Sequence, residues 1–99
     1  EEESIEKLYV LWIYNILWIL DEINHILFCK GCGSASIKIY KINEGSFCFS
    51  CKKSGDFEFE PFELELIKSM FKLNFDSIKK IDFDVKKFIT IFEDVISAL

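Results

Sequence analysis

The reading turns on Cys29-Lys30-Gly31-Cys32-Gly33 and Cys48-Phe49-Ser50-Cys51-Lys52-Lys53, with fifteen residues (Gly33 to Phe47) between Cys32 and Cys48. All four cysteines of the chain lie in this stretch, as two Cys-x-x-Cys hooks. Each hook turns two sulfurs toward one point, and two facing hooks place four thiolates at the corners of a tetrahedron. That donor set suits Zn²⁺, which takes sulfur at about 2.3 Å and is closed by four protein ligands in structural sites. Cys29, Cys32, Cys48 and Cys51 are therefore the expected ligands of a structural zinc. Gly33 fits, because a residue without a side chain adopts positive φ and lets backbone N–H groups turn toward the sulfurs.

Other uses of the same four cysteines compete with zinc. Two disulfides need an oxidising compartment, whereas the chain opens with no signal peptide and half of its residues are apolar, so a cytoplasmic protein is expected. A four-thiolate iron centre would use identical ligands, sheltered by Phe47 and Phe49, and the spacing serves either metal. A redox dithiol needs one hook and gives no reason for the second. His25, the single histidine, reads as a surface or packing residue, since four sulfurs already complete the set.

Working outward, 99 residues with 51% hydrophobic content make one domain at most. The expectation is a mainly α fold with a small β-hairpin: a helical domain over 1–99 with a four-cysteine zinc ribbon inserted at about 29–53. The helices would hold a core separate from the metal. The chain begins at Glu1 and its only methionine is Met70, so it is expected to be the C-terminal fragment of a longer protein. Net charge is −5, but residues 29–53 carry Lys30, Lys38, Lys41, Lys52 and Lys53 against Glu44 alone, a local +4 that leaves −9 elsewhere. Four thiolates around Zn²⁺ reduce the local sum to about +2. These five lysines are candidate nucleic-acid contacts, although solvated surface lysine accounts for them as well.

From Leu8 to Leu20 twelve of thirteen residues are apolar, Asn15 being the exception. The run is shorter than the ~20 residues of a membrane span and reads as a buried helix, with Ser4 as cap and Glu1–Glu3 beside its positive end. A helix apolar all round must be covered on every side, so Trp12, Trp18, Tyr9 or Tyr14 is expected to face a missing domain or a second copy. The pattern Ile37–Ile42 reads as a strand, Asn43-Glu44-Gly45 as a turn and Ser46–Phe49 as the returning strand. Phe57 and Phe59 alternate with acids in an extended connector. Pro61 starts a helix running to about Leu73, Asp76 caps a short turn holding Ile78 and Ile81, and Asp84 caps a last helix. In that helix Val85, Phe88, Ile89, Phe92, Val95, Ile96 and Leu99 recur at helical spacing. One histidine, no arginine and no glycine-rich phosphate loop assemble no catalytic set, so the chain is not read as an enzyme.

The order apolar helix, Cys29-Lys30-Gly31-Cys32-Gly33, strand, Gly45-Ser46-Phe47-Cys48-Phe49-Ser50-Cys51 and closing helices to Leu99 resembles the C-terminal part of the RecO family of DNA repair proteins. The likeness spans nearly the whole chain. Its most specific element is a zinc hairpin inserted among helices. Many members carry a Gly-Tyr-x-Pro-like turn where this chain has Asp21-Glu22-Ile23-Asn24. The resemblance implies a recombination mediator that anneals single-stranded DNA and helps load RecA, with RecR and single-strand-binding protein as partners. DNA would bind chiefly through an OB-fold domain preceding this one. Two alternatives stand beside it: an unrelated zinc-ribbon adaptor whose helices form a homodimer, and an iron-tetrathiolate electron-transfer protein.

Overall fold

The computed structural model describes residues 2–99, with side chains from Ser4 onward. The helix expected over the apolar run begins earlier and forms α1, Glu2–Ile19. Ser4 lies inside it rather than at its cap, and the acidic side chains of Glu1–Glu3 lie outside the described residues. Its end follows from Asp21, whose φ of 59° turns the chain left-handed. The Asp21 N–H then reaches the Trp18 carbonyl and the Glu22 N–H the Leu17 carbonyl, the paired bonds of a Schellman cap. No helix of the described residues is long and apolar enough to cross a membrane.

A short α2, Asn24–Leu27, leads into the first hook. The hairpin strands are β1, Ile39–Lys41, and β2, Gly45–Phe47, paired antiparallel with Tyr40 opposite Ser46. Both are shorter than the sequence pattern implied. At one end of β1 the Asp56 carboxylate takes the Ile42 N–H at 2.8 Å and stops the ladder. At the end of β2, the Cys48 carbonyl is occupied by the N–H groups of Cys51 and Lys52, so the second hook begins there.

The connector beyond the second hook is a third strand, β3, Phe57–Glu58, on the other edge of β1, which gives the order β2-β1-β3. Gly55 permits this return: a Cβ there would sit 2.9 Å from the Tyr40 carbonyl oxygen. The chain then enters α3, Pro61–Ser69, with Pro61 in the first turn and the Glu63 carboxylate accepting from the Glu60 N–H at 3.0 Å. The helix tightens into a 3₁₀ turn at Met70–Lys72 instead of continuing to Leu73. Asn74, not Asp76, caps α4, Phe75–Lys79, by accepting from the Ser77 N–H at 2.9 Å. Asp84 caps α5, Val85–Ser97, as expected, through the Lys87 N–H at 3.1 Å.

About half of the chain is thus helical, beside one small antiparallel sheet. The core lies where α1 crosses α5, α4 and the 3₁₀ turn. Val10, Leu11, Ile13, Tyr14 and Leu17 of α1 meet Phe88, Ile91, Phe92 and Val95 of α5, and the Tyr14 hydroxyl donates to the Ile67 carbonyl at 2.8 Å. Lys7 is buried as well, with its ammonium donating to the Ile81 carbonyl at 2.7 Å just past α4. An ion pair at 2.7 Å between partly buried Lys87 and buried Glu63 joins α5 to α3.

One expectation changes here. The core is not separate from the hairpin: Ile37, Tyr40, Cys29 and Cys48 belong to the same buried cluster as the helical residues. The reason is polar as well as apolar. The Tyr40 hydroxyl donates to Asp94 of α5 at 2.6 Å, the Asn43 N–H donates to the same carboxylate, and the Ser46 hydroxyl donates to the Ile26 carbonyl at 2.6 Å. The Tyr40 and Ser46 hydroxyls are thereby satisfied where burial would otherwise make them costly, while the Asn43 bond lies at the surface.

Candidate metal centre

The two hooks meet because the hairpin register sets β2 beside the chain leaving α2. The Lys30 N–H donates to the Ser46 carbonyl at 2.9 Å, drawing the first hook onto β2 just ahead of the second. Within the first hook the Gly33 N–H returns to the Cys29 carbonyl at 2.8 Å, with Gly33 at φ 77°. That is the left-handed turn the sequence assigned to Gly33.

The four Sγ atoms lie within 4.8 Å of one another, and Cys32 and Cys48 are 3.6 Å apart. All four cysteines are free thiols. A tetrahedral ion bonded to sulfur at about 2.3 Å sets its ligands roughly 3.8 Å apart, so the cluster is compatible with a tetrathiolate metal centre. Zinc and iron make nearly the same demand on the sulfurs. Cys29 and Cys48 are buried whereas Cys32 and Cys51 are exposed, one of each kind from each hook.

Backbone donors support the inner sulfurs. The Cys29 Sγ accepts from the Gly31 N–H at 3.3 Å and the Cys48 N–H at 3.4 Å. Burial pushes the Cys29 thiol up, but the N–H groups of Cys48, Cys32 and Gly31 together outweigh it and hold Cys29 down at about 6. Burial and the Cys29 sulfur push Cys48 up, but the Cys51 N–H and the thiols of Cys32 and Cys51 outweigh them and lower it. Cys51 is pushed up to about 12 by its contacts with the sulfurs of Cys29, Cys48 and Cys32. Cys32 also rises: the Ser34 N–H favours its thiolate, and the sulfurs of Cys48 and Cys29 override that preference. The inner pair thus ionises first while the outer pair holds protons, because four adjacent anions need a cation among them.

Gly31 is a functional position that the spacing argument passed over. A Cβ there would lie 2.7 Å from the Cys51 Sγ and 3.0 Å from its Cβ. Its place between Cys29 and Cys32 was the available signal, since a glycine inside a hook lets the opposing hook close over it. At Gly33, by contrast, a Cβ would meet nothing within 4 Å, so only the backbone angle demands glycine there.

The five candidate lysines do not form one free patch. The Lys52 ammonium pairs with Glu44 and lies 4.7 Å from the centre of the Phe47 ring. Lys41 faces Asp56 at 3.9 Å. Lys30, Lys38 and Lys53 are exposed, with no ion pair among the described residues. The Lys30 stem packs over Gly45, where a Cβ would come within 2.9 Å of its Cγ. His25 lies beside Glu22 at 3.0 Å, at the surface as read from sequence. Asp94, Asp56 and Ser46 position the hairpin and were missed, because their partners lie up to 54 residues away in the chain. A scan against protein-family models, a search of curated proteins and a search of solved structures each found no match to this chain.

Proposed function

We propose that this chain is a non-catalytic, zinc-binding domain of a RecO-like recombination mediator, acting mainly through protein contacts. The observation that carries the reading is the setting of the four-cysteine cluster, on a hairpin whose inner face is part of a helical core. A free-standing ribbon would have polar surroundings on all sides. Here the cysteines fix the path of a segment that the helices use, which is the arrangement the resemblance implies. Four protein sulfurs complete the shell of zinc and leave no coordination position for a reacting water, so the metal is structural and no reaction is assigned.

The RecR protein and the acidic tail of single-strand-binding protein are the proposed partners. Exposed Lys30, Lys38 and Lys53 supply auxiliary contact to DNA phosphate, while Lys41 and Lys52 are engaged with acids. Pull-down of the intact protein with RecR and with a peptide of that acidic tail tests the proposal. Retention of either supports it, and retention of neither sinks it. Elemental analysis should find one zinc per chain in a colourless sample; a coloured, iron-loaded sample would favour electron transfer instead.

A further inference from the structure

The outward face of α1 carries a pattern that the metal hairpin does not account for. Ile5, Leu8, Trp12 and Ile19 are 67%, 46%, 58% and 79% exposed, directly opposite the face buried against α5. With Asn15, also exposed, they fall at steps of three, four, three and four residues, the spacing of one seam of a coiled coil. A single asparagine in such a seam fixes the register of the pairing.

The seam is self-complementary when two copies run antiparallel. Pairing Leu8 with Ile19 also brings Trp12 against Asn15, and the two-fold axis repeats both layers. Trp12 is a large ring with one N–H donor, and Asn15 is a small side chain with a carbonyl acceptor. Each copy then satisfies the other's polar atom while large faces small. A parallel pair would instead set two indoles in one layer.

Area supports a second copy as the occupant. The exposed parts of Ile5, Leu8, Trp12, Asn15 and Ile19 amount to on the order of 600 Å² per copy, so a dimer buries at most about 1,200 Å² in total, the lower edge of specific interfaces. We propose that α1 is a homodimerisation helix, paired antiparallel with a second copy through Leu8, Trp12, Asn15 and Ile19. The proposal rests on the exposed face of α1 and uses none of the residues of the metal hairpin.

Sedimentation equilibrium of the metal-loaded chain tests it. A reversible monomer–dimer equilibrium with Kd below about 500 μM is expected. Trp12→Glu and Asn15→Lys should each raise Kd at least 100-fold, with unchanged far-ultraviolet circular dichroism because both positions face away from the core. Phe62→Glu, at an exposed apolar position of α3, serves as the control and should leave Kd unchanged. Mixing Trp12→Glu with Asn15→Lys should restore a heterodimer, since the antiparallel register sets the new charges face to face. A wild-type chain that stays monomeric to about 500 μM overturns the proposal and assigns the stripe to another polypeptide. A dimer that survives Trp12→Glu, or a mixture that fails to pair, overturns it equally.

Discussion

The hairpin and the α1–α5 helix pair are held together by different means. The helix pair is apolar at its centre, where Tyr14 and Phe92 pack with ring centroids 6.0 Å apart and both are fully buried. The hairpin has two short strands with a third along its edge, carries the cluster of four sulfurs, and is held by polar tethers to Asp94, Ile26 and Asp56. Sheets this small have marginal stability alone. The helices therefore set the stability of the molecule, while the cysteines and tethers set the conformation of one end. The shared buried cluster makes the coupling run both ways.

The largest expected effect breaks the helical side. Phe92→Ala should cost about 3–5 kcal/mol, the loss of a fully buried ring, and thermal melting should show the helices and hairpin failing together. Cys48→Ser attacks the other side. It should abolish stoichiometric metal binding and hairpin amide protection, yet keep most of the helical circular dichroism at 25 °C. Because Cys48, Ile37 and Tyr40 share the helical core, the melting temperature should still fall by roughly 10 °C. An unchanged melting temperature would mean that the two regions are independent.

A smaller effect sharpens the account of the hooks. Gly31→Ala puts a methyl within 2.7 Å of the Cys51 sulfur and should weaken metal affinity more than 10-fold in chelator competition. Gly33→Ala meets open space but strains a residue at φ 77°, so it should cost about 1 kcal/mol of stability and leave affinity within a few-fold. Equal affinities for the two variants would place the close approach elsewhere.

The polar tethers leave a pH signature. All three tyrosines are raised: Tyr40 by burial and then its bond to Asp94, Tyr14 by burial, Tyr9 by its bond to Glu93. A group raised on folding contributes stability that is full below its unfolded value near 10 and is lost as pH rises toward the folded value. Phenolate absorbance should therefore stay low through pH 10 and rise together with unfolding. Tyr40→Phe should flatten the alkaline loss and cost about 1–2 kcal/mol at neutral pH. An ordinary titration near pH 10 in the folded chain would remove the Tyr40–Asp94 tether from the account.

What was legible in the sequence was local. The two hooks, the Asn43–Gly45 turn, Pro61 in the first turn of α3, the Asp84 cap and the α5 face of Val85, Phe88, Phe92 and Val95 each depend on residues a few positions apart, whereas Leu99, expected on that face, lies exposed past the helix end and Ile91, not expected there, is buried. Spacing alone therefore named the four sulfurs that the fold brings together. What only the tertiary structure decided was long-range. Pairing of β3 with β1 depends on Gly55 passing the Tyr40 carbonyl, and the attachment of the hairpin to the helices depends on Asp94, 54 residues from Tyr40. An uncovered side of α1 was expected and Trp12 does lie on it, but Tyr14, named with it, is fully buried, and the residues that line the outward face were hidden for a different reason. A run with twelve apolar residues in thirteen has no periodicity to read, and only the placement of α5 and α4 against one side of α1 shows that Trp12 and Ile19 were left outside.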